Sequence, residues 1–153
     1  MLFLLCRVGE DRYAINMGEI VEVLPMVALK QIPQAPHGIA GALNYRGTVV
    51  PVVDLTDLTL GRPASVRLST RLIVLNSVDG QGGKHLLGLI AEHATDTMRR
   101  NPMDFAPGGI ANENTPYLGP VATDDRGIVQ WIDPVSLVSP AVRTMVFDGA
   151  SDA

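Results

Sequence analysis

Residues 36–58, PHGIAGALNYRGTVVPVVDLTDL, hold the pattern that most limits what this chain can become. Glycines at 38, 41 and 47 break the stretch into short pieces. After Gly47 come five β-branched residues, Thr48, Val49, Val50, Val52 and Val53, with only Pro51 among them. β-Branched side chains are stiff at χ1 and fit a pleated strand better than a helix. Gly47 suits a tight turn. Pro51 has no N–H for a ladder, which predicts an edge position or a bulge. The stretch therefore reads as strand, turn, strand, with Arg46 in the turn. Two readings of that arginine stay open: a solvated turn residue, or a partnered charge where apolar segments meet.

The same short rhythm runs through the rest of the chain. Residues 2–8 predict a strand, 9–11 a turn and 13–15 the second strand of a hairpin. Asn16 can cap a short helical turn before Ile20, residues 21–23 read as a strand, and Pro25 bars a longer helix. Residues 27–32 look extended, and Pro33 and Pro36 bracket a rigid connector. Residues 37–41 suit a compact turn. Gly61 and Pro63 make 58–69 a mobile loop by expectation. Strands are expected at 70–77 and 85–90 around a glycine-rich turn at 79–84, and a further strand at 91–100. Residues 101–120 look loop-like, 128–132 form a strand, 135–138 allow one helical turn, and the tail beyond Val146 should fray. Neither helix–strand alternation nor a heptad is present. The expected class is all-β, a barrel or sandwich arrangement.

Composition narrows the function. Of 153 residues, 46% are hydrophobic, enough for a core, and 18% are charged. A net charge of −4 and 5% aromatic residues argue against nucleic-acid binding, which needs a basic face or stacking platform. The single cysteine, Cys6, cannot form an internal disulfide and sits in an apolar run, so it reads as buried and inert in a reducing compartment. The apolar start, residues 1–6, is too short to span a bilayer and lacks a preceding basic segment, so no membrane insertion is expected. His37, His85 and His93 have no metal-ligand spacing with Cys6, and His85 and His93 read as surface residues. No serine lies in a Gly-x-Ser-x-Gly setting, and Gly80-Gln81-Gly82-Gly83-Lys84 fails the phosphate-loop spacing. Asp54 and Asp57 flank a strand end without forming an obvious acid–base pair. No enzyme activity, cofactor or metal is expected, and surface binding is left as the function.

Specific residues then carry a resemblance. Glu22, Pro33, Pro36, Gly41, Arg46-Gly47, Pro51-Val52-Val53-Asp54-Leu55, Gly88 and residues 127–133 together resemble the CheW family of bacterial chemosensory coupling proteins. The resemblance covers nearly the whole chain and is strongest over residues 41–47. Tyr45 stands where that family usually has leucine, Ala91-Glu92 where it has Val-Asp, and Gln130-Trp131 in place of aliphatic residues. Ile110 lies near a degraded Ile-x-Pro segment. The departures suggest a diverged paralogue.

The resemblance implies two small SH3-like five-stranded barrels packed side by side over residues 1–147, with a flexible tail at 148–153. It implies a non-enzymatic, cytoplasmic adaptor in membrane receptor arrays. Its partners would be the cytoplasmic tip of a chemoreceptor, the regulatory domain of a CheA-like histidine kinase and other CheW-like domains. By the same resemblance, Glu22 and Arg46 approach each other at the receptor surface, and Ile20, Val23, Leu43 and Val49 line or support its groove. Leu87, Gly88, Leu89 and Ile90 would serve the kinase contact on the other barrel. The runner-up is a half-adaptor that binds receptor only and serves biofilm or second-messenger output. A carrier using the groove between the barrels is the competing class.

Overall fold

The computed structural model describes residues 1–78, 82–107 and 115–138. Among the described residues, nine strands form the framework: β1 Leu2–Val8, β2 Asp11–Asn16, β3 Ile20–Pro25, β4 Ile39–Tyr45, β5 Thr48–Asp54, β6 Arg71–Val78, β7 Lys84–Arg99, β8 Leu118–Asp124 and β9 Gly127–Ile132. One short helix, α1, spans Leu55–Leu60. Single 3-10 turns lie at Met17–Glu19, Pro102–Asp104 and Pro134–Leu137.

β7 organises the molecule. Sequence analysis expects two strands over residues 85–100, but the structure has one of 16 residues. Its first half pairs with β6 antiparallel and β5 parallel, and its second half pairs with β1 antiparallel. At the expected boundary the ladder with β6 runs unbroken, Ile90 facing Leu72 and Ala91 facing Arg71; the irregularity comes later, where Leu5 faces Asp96 and Arg7 faces Glu92, with His93 at φ 51° between them. Such a bulge bends a strand without ending it.

Two five-stranded sets therefore share β7. Barrel one follows the order β3-β6-β7-β5-β4, and barrel two the order β7-β1-β2-β9-β8. An irregular segment closes each. Lys30 exchanges two 2.9 Å backbone hydrogen bonds with Ala42 of β4, and Ala106 exchanges two at 2.8 Å with Val121 of β8. Of the extended stretch expected at 27–32, the bridge at Lys30 is what pairs. Gly41 permits that closure, because a Cβ there would stand 2.6 Å from the Lys30 carbonyl oxygen. Pro51 pairs with Ala42 on β4, and β5 begins its ladder with β7 one residue later, at Val52.

Alternation along the strands divides the apolar residues into three cores. On β7, Leu87, Leu89 and Ala91 join a central core between the barrels, together with Leu4, Cys6, Ile15, Ile73 and Leu75. Leu86 and Ile90 face the interior of barrel one, with Leu43, Val50, Val52, Leu72 and Val74. Barrel two encloses Phe3, Ala14, Ala122 and Val129, against Phe105 and Trp131.

The start of the expected mobile loop is helical. Asp54 caps α1, its Oδ1 accepting from the backbone N–H groups of Thr56 and Asp57 and its Oδ2 from that of Ala64. Gly61 ends the helix in the left-handed region at φ 77°. Six residues are too few to show helical periodicity, and the cap decides the local structure. The expectations about Ile110, the 79–81 part of the glycine-rich turn and the tail lie outside the described residues.

Candidate functional site

The β4–β5 hairpin turns through Arg46 and Gly47, both at positive φ, 51° and 87°. A two-residue turn with both central residues left-handed matches the twist of a hairpin, and Asn or Gly normally fills its first position. An arginine there departs from that preference, at a backbone cost of about 1–2 kcal/mol. Asn44 Oδ1 accepts the Gly47 N–H at 3.0 Å and holds the turn.

β3 brings Glu22 to this tip. The ladder shifts between Ile20, opposite Leu75, and Glu22, opposite Val74. The extra residue re-aims the strand, so Ile20 packs on the central core while Glu22 reaches the hairpin. There Glu22 Oε1 accepts two hydrogen bonds, from Tyr45 Oη at 2.5 Å and from Arg46 Nη2 at 2.9 Å. The guanidinium also lies 5.1 Å from the centroid of the Tyr45 ring, a cation–π arrangement. Arg46 is thus both partnered and solvated, with its side chain 75% exposed. Its remaining donors face outward, ready for a carboxylate or carbonyl. The hydrogen bond to Glu22, with a smaller contribution from burial, raises the Tyr45 pKa, which Arg46 opposes. The phenol stays protonated and donates.

Tyr45 is the residue sequence reasoning missed. It looked like a substitution for leucine, yet its hydroxyl supplies the second bond that orients Glu22. A phenol beside an arginine in a turn was the available signal.

The apolar residues expected around this pair separate. Val23 and Val49 are exposed, Ile20 is half-buried, and Leu43 lies in the core of barrel one. Leu43 therefore supports the hairpin and does not line a surface. The kinase expectation needs a larger correction. Leu87, Gly88, Leu89 and Ile90 occupy the shared strand and not a second barrel's face. Leu87 and Leu89 are fully buried in the central core, Ile90 is buried in barrel one, and Gly88 is enclosed beside Val52. A Cβ at Gly88 would meet Val52 Cγ2 at 2.8 Å. Their side chains cannot touch a docked partner in this fold.

The departures in the second half have structural reasons. Glu92 Oε2 accepts from the buried Thr56 hydroxyl at 2.8 Å and ties α1 to β7. Trp131 packs edge-on against Phe3 and Phe105, at centroid distances of 4.9 and 5.1 Å. Buried Gln130 donates through Nε2 to the Gly119 carbonyl. Burial pushes the Cys6 thiol up to about 12, which suppresses the thiolate at neutral pH. Among the described residues, no three His, Cys, Asp or Glu side chains are grouped to hold a metal, and no helix is long and apolar enough to cross a membrane.

Comparison with known proteins agrees with the architecture. The chain superposes on the scaffolding protein TtCheW of Thermoanaerobacter tengcongensis with a TM-score of 0.77, at 22% identity, over 90% of this chain and 87% of that one. It is 27% identical to the chemotaxis protein CheW of Klebsiella aerogenes over 146 residues, 94% of this chain and 85% of the relative. It is 30% identical to protein FrzA of Myxococcus xanthus over 111 residues, 72% of this chain and 66% of the relative. The CheW-like domain family matches residues 2–141, and the chain belongs to that family.

Proposed function

We propose that this protein couples the cytoplasmic tip of a chemoreceptor to the regulatory domain of a CheA-like histidine kinase, as a scaffold within membrane-associated receptor arrays. Family membership supports a scaffold or adaptor role in chemotaxis signalling. The observation that carries the finer reading is the exposed Arg46 guanidinium, kept in a left-handed turn and oriented by Glu22 and Tyr45. A strained, solvent-facing arginine with two orienting partners contributes little to stability, since exposed pairs give about 0–1 kcal/mol. It is suited to recognition.

In this reading the receptor's helical hairpin docks beside the β4–β5 tip, with Val23 and Val49 as exposed apolar neighbours and Ile20 and Leu43 supporting them from behind. The kinase contacts barrel two through exposed side chains such as Met103 and Ile128, because residues 87–90 of β7 are buried. No catalysis is required of the scaffold. Two simultaneous interfaces that fix the kinase geometry supply a coupling free energy of about 1–3 kcal/mol.

The test is co-sedimentation of the receptor tip and cognate kinase with and without the protein, using wild type, Arg46→Ala and Ile128→Glu. Wild type should bring both into one particle. Arg46→Ala should lose receptor and keep kinase, and Ile128→Glu the reverse. A wild-type protein that binds each partner separately but never both would overturn coupling. One that binds receptor alone would be a half-adaptor.

A further inference from the structure

Residues 62–71, RPASVRLSTR, hold three arginines and no acidic residue, in a chain whose net charge is −4. They link α1 to β6. Two of the three most exposed large apolar side chains among the described residues lie here, Val66 at 73% and Leu68 at 94%. A loose backbone does not account for that exposure. Buried Thr70 ties the segment together: its hydroxyl donates to the Ser65 carbonyl at 2.5 Å and accepts the Arg67 N–H at 3.1 Å. The Ala64 N–H is held by Asp54 Oδ2, and the Ser69 carbonyl accepts the Ala94 N–H at 3.0 Å. The backbone is anchored on both sides of Val66 and Leu68, so the two side chains are presented to solvent on a fixed frame. A frame of this kind lowers the ordering cost of binding.

Val66 and Leu68 line a groove of about 460 Å³ with Pro25, Met26, Arg67 and Arg71. It lies at the end of the β3–β6 ladder, where Pro25 faces Arg71. Among the described residues, neither the Arg67 nor the Arg71 guanidinium has a hydrogen bond or an ion pair. Arg62, at the start of the segment, stands 3.9 Å from Glu92 and is 52% exposed. We propose that this groove docks an acidic peptide segment of another protein. The segment sets a large apolar side chain against Met26, Val66 and Leu68, and carboxylates against Arg67 and Arg71. A purely ionic ligand would leave Val66 and Leu68 in water, and a cationic one would meet like charge. Arginine suits the task, because its planar fork takes a carboxylate through two N–H groups. Complementary charge then sets register and rejects other sequences, while the apolar contact supplies the burial. A concave surface fits a narrow length of chain better than a flat bilayer. The inference stands independently of the receptor and kinase assignment.

The experiment is a titration of the whole protein with the acetylated, amidated peptide Glu-Glu-Leu-Phe-Glu-Glu, followed by backbone amide resonances. Saturable shifts are expected at Met26, Val66, Arg67, Leu68 and Arg71. The peptides Lys-Lys-Leu-Phe-Lys-Lys and Glu-Glu-Gly-Ser-Glu-Glu should each bind about tenfold more weakly or less. Leu68→Ser should weaken the acidic peptide severalfold, with little change in thermal midpoint because the side chain is exposed. Arg67→Glu should reverse the preference between the acidic and lysine peptides, a gain that a merely damaged fold cannot give. Three results would overturn the proposal: no saturable shift at millimolar peptide, equal binding of the acidic and lysine peptides, or an unaltered titration in either variant. Vesicles of phosphatidylcholine and phosphatidylglycerol that displace the peptide would also overturn it and assign the surface to lipid. The source of the segment is read by repeating the co-sedimentation with Arg67→Glu. Loss of receptor or kinase assigns the acidic segment to that partner. Unchanged sedimentation, with the peptide still saturating the wild type, assigns it to a different protein. A failed Arg46→Ala experiment would remove the adaptor reading and leave this titration unaffected.

Discussion

Barrel one closes over aliphatic side chains, Leu43, Val50, Val52, Leu72, Val74 and Ile90, whereas barrel two closes over Phe3, Phe105 and Trp131. The strand plan is shared, down to an irregular segment that completes each barrel. The fillings respond differently to the same constraint. In barrel one side-chain space is a limit as well as backbone approach: Gly88 lies under Val52, and Gly41 under the Lys30 carbonyl. In barrel two the limit is backbone approach, since a Cβ at Gly119 would stand 2.9 Å from the Trp131 carbonyl oxygen. Their carboxylates differ as well. Asp54 of barrel one is buried on three N–H groups, and desolvation still raises its pKa. Asp124 of barrel two receives Arg12 through both oxygens, at 2.6 and 3.0 Å, and that pairing lowers its pKa. One topology thus accepts an aliphatic interior and an aromatic one.

The strongest way to break that picture is Phe3→Ala. It should cost about 3–5 kcal/mol, the range for truncating a buried aromatic. Because β7 belongs to both barrels, urea unfolding should remain one transition at a lower midpoint. Two separated transitions, followed by Trp131 fluorescence and far-UV circular dichroism, would show that the barrels unfold independently.

Gly88→Ala tests the tight space in barrel one. Overpacking of this kind costs about 1–3 kcal/mol. Val52→Ala should restore part of the loss in the double mutant, giving a positive coupling. No recovery would place the strain elsewhere on β7.

A smaller effect separates the two carboxylates by pH. Asp124 has a lowered folded pKa, so its contribution is present above the unfolded value and is lost as pH falls through the folded one. Asp54 has a raised folded pKa, so its ionisation disfavours the fold as pH rises from the unfolded to the folded value. Asp124→Asn should therefore flatten the acid-side decline in thermal midpoint, and Asp54→Asn should not. The same flattening from Asp54→Asn would contradict these directions.

The smallest stability effect should come from Tyr45→Phe. The ring keeps its place beside Arg46, and a single part-buried bond to Glu22 is lost. The thermal midpoint should stay within a degree or so while receptor affinity falls severalfold. Unchanged affinity would reduce Tyr45 to an incidental neighbour.

Much of barrel one was legible because its signals are local. Gly47, the valine run and the Asn16 cap each act within a few residues, so hairpin, turn and capped 3-10 turn followed from the chain itself, whereas residues 39–41, expected in a turn, open β4 because Gly41 closes on distant Lys30. The Glu22–Arg46 approach came through family resemblance, since residues 24 apart carry no local sign of contact. The continuity of β7 was hidden because its alternating apolar run gives way to mixed polarity after Ala91, whereas the strand carries on by changing partners from β6 to β1. Helix α1 was hidden because its six residues are too few to show helical periodicity.

Composition and period determined that the chain would be all-β and would bury aliphatic residues on alternating positions. They could not assign Leu87 and Leu89 to a core between two barrels, which exists only once β1 and β6 lie on either side of β7. Nor could they pair Tyr45 with Glu22. Alternation records whether a side chain turns inward. Which interior it enters, and which charge it meets there, depends on strands far apart in the chain, and that only the tertiary structure decided.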